Sequence, residues 1–94
     1  LFIKIHGCKK GNKVIVDIDT PCEKVKKFSH MEVPIMEILD IKNNYVIDRA
    51  HEAHCSSNCL VPCAVLNFCR MESDFLAKSL VKQAGSISIE FNEV

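Results

Sequence analysis

The sequence predicts an α+β fold: a small antiparallel sheet of about three strands, covered on one face by helices. Three observations carry this expectation. Val14, Val16 and Ile18 alternate with Lys13, Ile15 and Asp17, the period of two that marks a half-buried strand. The middle of the chain holds apolar stretches at helical spacing, each with a start or stop signal. Near the end, Ile87, Ile89 and Phe91 alternate with Ser86, Ser88 and Glu90. Two strands, then helices, then one clean strand pack as two layers. The expected order is ββααα(α)β, with the sheet built from residues 2–6, 13–18 and 87–91. Ninety-four residues make one domain, spanning 1–94, with a single modest core.

The first strand runs from Phe2 to Ile5. Gly7-Cys8-Lys9-Lys10-Gly11-Asn12 has the glycine and asparagine of a hairpin turn. Cys8 is therefore expected at the turn end, while Cys22 follows the far end of the second strand. Five strand residues at ~3.3 Å each separate those ends by on the order of 16 Å, so the two belong to different sites. Thr20-Pro21-Cys22-Glu23 reads as a helix start, with Thr20 as N-cap, Pro21 at the first helical position and Glu23 completing a capping box. Val25 and Phe28 face the core there. Cys22 lies in the first turn, where a thiolate is favoured; packing as a small buried hydrophobe is the other reading.

Residues 33–41 suit either state, with Pro34 and Glu37 able to open a short helix. Asn43-Asn44 marks a turn. Tyr45 to His54 reads as a helix, with Val46, Ala50 and Ala53 on one side and His51 and His54 three apart. Pro62 opens the next helix, whose stripe of Leu66, Cys69, Leu76 and Leu80 runs to about Ala84. Ser73-Asp74 can divide it, and Gly85 stops it. Cys69 falls on the apolar stripe and is expected in the core.

Twelve basic residues balance twelve acidic ones, which removes the electrostatic footprint of a nucleic-acid binder. Lys9-Lys10 and the group Lys24, Lys26 and Lys27 read as solvated faces. No apolar run approaches the ~20 residues that span a bilayer, and no signal peptide is visible. The chain opens at Leu1, directly in strand-like sequence, so an upstream segment is expected. Six cysteines with only three Gly and three Pro do not describe a disulfide-stapled domain. A cytoplasmic protein with reduced thiols fits this composition.

Chemistry concentrates in His54-Cys55-Ser56-Ser57-Asn58-Cys59-Leu60-Val61-Pro62-Cys63. Pro62 makes one continuous helix improbable here, so Ser56-Ser57-Asn58 is read as a loop that lets the thiols converge. Cys22, Cys55, Cys59 and Cys63 form the candidate metal set, a tetrathiolate cage, with His54 as substitute if Cys63 points inward. Four soft thiolates suit an iron–sulfur cluster or zinc, and ligand type alone does not separate them.

Asp19-Thr20-Pro21-Cys22-Glu23, Tyr45-Val46, Cys55-x-x-x-Cys59-Leu60-Val61-Pro62 and the closing Ile-x-Ile-x-Phe together resemble a family of small uncharacterised prokaryotic proteins, found largely in anaerobes. The resemblance implies Cys22, Cys55 and Cys59 as the recurrent group. The family pattern also carries a cysteine ahead of the first strand, at a position before Leu1. Cys63 and Cys69 fall outside it, and the family brings no established activity.

Three readings of function follow. The first is a small metal-binding protein acting structurally or in electron transfer, with a redox protein or a second copy as partner. The second is a thiol-based sulfur carrier or redox protein with Cys22 as the reactive thiol. A third is an interaction domain whose cysteines are core residues. No enzyme signature is present.

Overall fold

A hairpin and one further strand build the sheet. Strands β1 (Lys4–Lys10), β2 (Lys13–Asp19) and β3 (His30–Pro34) pair antiparallel in the order β1-β2-β3. The computed structural model describes residues 3–74, 77–86 and 88–92. Register follows from the hairpin: Lys10 faces Lys13 and Lys4 faces Asp19 across β1–β2, and Val16 faces Met31 across β2–β3. The turn is Gly11-Asn12, where Gly11 takes φ 62, a conformation that glycine adopts without steric cost. Cys8 is thus paired with Ile15 inside β1, two residues before the strand ends, rather than in the turn.

The expected α+β class is what forms. Val14, Val16 and Ile18 of β2 are buried, as are Met31 and Val33 of β3. Helices cover that face: α1 (Glu23–Lys26), a 3-10 turn (Ile35–Glu37), α2 (Tyr45–Glu52) and α3 (Val61–Glu72). Val25, Phe28, Ile38, Val46, Ala50, Val65 and Cys69 complete one core cluster. Each of the larger side chains contributes roughly 1.5–3 kcal/mol by leaving water. A fourth helix, α4 (Lys78–Ala84), has no buried residue. It follows the break at Ser73-Asp74 and ends at Gly85 with φ 75, both as expected; Leu76 lies outside the described residues. No described helix is long and apolar enough to cross a membrane.

The third strand is a different one from that expected. His30–Pro34 occupies the place assigned to residues 87–91, while Ser88 to Asn92 lie in no strand and Ile87 is outside the described residues. The physical reason is visible at residues 30–34. Met31 and Val33 point inward and His30 and Glu32 outward, an alternation only five residues long. Pro34 does two things: it ends an edge strand, where its missing N–H costs nothing, and it caps the short 3-10 turn Ile35–Glu37, the helix opening that the sequence allowed. Ile35 then donates its N–H to the carbonyl of Asn12 at 3.0 Å, tying the strand end to the hairpin turn.

The start of α1 is also shifted. Cys22 is itself the N-cap, with φ −78 and ψ 120, and its N–H donates to the Thr20 hydroxyl at 3.1 Å. Glu23 closes no capping box; its carboxylate pairs with Lys26 at 3.1 Å. Asn44 caps α2, its side-chain oxygen accepting from the N–H of Val46 at 3.0 Å and of Ile47 at 3.2 Å. Its amide donates to the Asp40 carbonyl, so this buried side chain is satisfied on both sides.

Candidate functional site

The end of α2 brings the central thiol into place. His54 adopts φ 58 and donates its N–H to the His51 carbonyl at 3.0 Å. Cys55 donates to the Ala50 carbonyl at 3.0 Å. These are the two bonds of a Schellman motif, in which one left-handed residue reverses the chain and folds the next back onto the last turn. Glycine is usual at the left-handed position; here it is an exposed histidine. The consequence is that Cys55 turns toward the core while His54 faces solvent. A second turn, closed by the Cys59 N–H on the Ser56 carbonyl at 3.0 Å, returns the chain to the head of α3.

Three thiols meet here. Cys22, Cys55 and Cys59 are all half-buried and packed against the core cluster. The Cys55 thiol holds its proton more tightly than usual, first because burial disfavours its thiolate. A hydrogen bond with the Cys59 side chain adds to this, as do the charges of Cys59 and then Cys22. Lys24 pulls the other way and is the cation that faces the group. So α1, the loop after α2 and the approach to α3 each contribute one sulfur. Among the described residues, no three His, Cys, Asp or Glu side chains are disposed, as placed, to hold a metal ion.

The remaining cysteines stand elsewhere. Cys63, on the first turn of α3, is exposed, and its sulfur accepts from the Asn67 amide at 3.6 Å. It lines an apolar groove with Leu60, Phe68 and Met71 and is not among the groups that act on Cys55. His54 is absent from those groups too. Cys8 is exposed on the open sheet face, apart from the trio as expected. Cys69 is fully buried on α3, and burial pushes its thiol from 9.0 up to about 12, with Glu72 adding a smaller push.

Two features escaped the sequence reading. Lys24 was read as part of a solvated face, yet its charge acts on Cys55. The open face of the sheet carries two histidine–carboxylate pairs, His6 to Asp19 at 3.0 Å and His30 to Asp17 at 2.7 Å. The polar positions of the alternating strands were a signal for that face, once His30 is placed in a strand.

The chain belongs to a family of unknown function (DUF6951), whose model matches residues 1–84. No curated protein and no solved structure matches it.

Proposed function

We propose that this is a small cytoplasmic metal-binding protein whose centre, zinc or an iron–sulfur cluster, is held by the thiolates of Cys22, Cys55 and Cys59. One observation carries the reading: two half-buried sulfurs act on the half-buried Cys55, Cys59 from the same α2–α3 connection and Cys22 from the head of α1, and the other three cysteines are not among them. Soft thiolates select zinc and iron–sulfur clusters. With no cation present, the neighbouring sulfurs oppose ionisation of Cys55. A bound cation reverses that sign by replacing thiol protons with one positive charge. As placed the side chains are not disposed to hold an ion, so binding would have to draw them together around Cys55. The fourth position falls to Cys63, which would have to turn from Asn67, to His54, or to a ligand from outside. The resemblance to proteins of anaerobes agrees with thiols kept reduced.

Because binding expels thiol protons, affinity rises with pH until the three thiols are ionised. The role is structural or in electron transfer. Protein purified anaerobically should contain zinc, or iron with sulfide and a brown colour, by elemental analysis and absorption spectroscopy. Cys22→Ser, Cys55→Ser and Cys59→Ser should each lose the metal, while Cys8→Ser keeps it. Metal-free wild-type protein with one hyper-reactive thiol at Cys22 would overturn the centre and favour the sulfur-carrier reading.

A further inference from the structure

We propose that two copies of this chain associate by strand addition, residues 88–92 of each lying along the open edge of β1 in the other. The sheet order leaves β1 as an edge strand of seven residues, so among the described residues one side of its backbone has no strand partner. Ile5 on its inward face, and Ile3 just ahead of the strand, are only half-buried. Ser88 to Asn92 presents the complementary deficit. It alternates as a strand does, lies in no strand, and leaves Ile89 66% and Phe91 82% exposed. An unpaired edge and an unpaired amphipathic strand are each costly in isolation and satisfy one another when joined.

The surroundings fit such a strand. Gly7 of β1 lies against the Ile15 carbonyl and the ring of Phe68 on α3. Phe68 also lines the groove of about 690 Å³ between α3 and α4, with Leu60, Met71 and Leu80. A strand laid beside β1 turns Ile89 and Phe91 into that groove and leaves Ser88, Glu90 and Asn92 on the open face. Charge selects the partner. The edge carries Lys4, Lys9 and Lys10 and no acid, so two β1 edges repel, whereas the incoming strand brings Glu90. Within one chain Ser88 and Ile89 line that groove while residues 88–92 lie in no strand, so on association each chain's segment leaves its own groove for the other's. A two-fold axis then gives both copies the same contact, with four apolar anchors at its centre.

Sedimentation equilibrium across a wide concentration range tests this on the full chain. Wild type should be dimeric, and the double variant Ile89→Ser with Phe91→Ser should be monomeric with an unchanged circular dichroism spectrum. Glu90→Lys should weaken association by about tenfold, and adding Lys4→Glu with Lys10→Glu should restore it. A wild type that stays monomeric, or a dimer that survives the double variant, overturns the proposal. So does concentration-independent hydrogen-exchange protection of the β1 edge amides, which would give the edge to the chain's own tail. None of these readouts depends on metal content, so this proposal and the metal centre stand or fall separately.

Discussion

Cys55 and Cys69 both hold their protons more tightly than an ordinary thiol, in two different settings. Cys69 sits inside a twelve-residue helix with no exposed surface, and burial dominates its shift, with Glu72 a smaller influence. Cys55 sits in a loop, half-buried, and part of its shift comes from two neighbouring sulfurs. The difference matters because the two causes respond differently to a cation. A cation bound near Cys55 would offset the neighbouring sulfurs' opposition to its ionisation; at Cys69 it would still have to be drawn into an apolar core. A raised thiol is therefore no sign of a site until the groups that raise it are named.

The comparison breaks most sharply at Cys55. Structural thiolate centres can contribute on the order of 10 kcal/mol to the folding of small domains. Cys55→Ser should therefore lower the melting temperature of metal-loaded protein steeply and that of chelator-treated protein little. Equal losses in both preparations would mean that Cys55 only packs. Cys69 should show the opposite pattern. Cys69→Ser buries a hydroxyl in the core and should cost about 1–3 kcal/mol with or without metal, measured by urea titration.

The same thiol sets an alkaline limit. A group whose folded pKa is raised favours folding while protonated, so its contribution is full below pH 9.0 and is lost as pH climbs toward about 12. Unfolding free energies of wild type should fall more steeply over that window than those of Cys69→Ala; parallel curves would remove Cys69 from the account. The smallest effect is expected at Cys63, which touches neither group. Cys63→Ser should change metal-free stability by less than about 0.5 kcal/mol. In loaded protein it reports whether Cys63 supplies the fourth ligand, because only then does metal affinity fall.

Much of the fold was legible because alternation and caps are local. β2, the core positions Val25 and Phe28, the helix from Tyr45 and the stop at Gly85 follow from spacing alone. What failed was a competition between segments for one place in the sheet. Residues 86–91 carry the cleaner alternation, but His30–Pro34 follows β2 after a short connection and reaches its edge directly. Sequence patterns report how well a segment suits a strand, and connection length decides which segment arrives. At the site, loop and helix signals singled out Cys22, Cys55 and Cys59 as candidates, and Cys55 has the other two among the groups that act on it. The placement of Cys63 was not legible. It turns on which side of α3 faces the core, and there Val65 and Cys69 point inward while Cys63 and Asn67 point out. Nor does any sequence rule place a histidine at the left-handed position that swings Cys55 inward.

The sheet is a meander in which every strand pairs with its neighbour in sequence. Read in time rather than space, this means that all its hydrogen-bonded partners are present once Pro34 has been synthesised. The thiol trio obeys a different clock. Cys22 finds Cys55 only after more than thirty further residues, across a loop whose closure is slow to search but only modestly more expensive than a shorter one. Assembly in that order completes the sheet before the three sulfurs can meet. The last of them to be made, Cys59, arrives ahead of α3, so the helix that supplies Val61, Val65 and Cys69 to the core closes over the sulfurs afterwards.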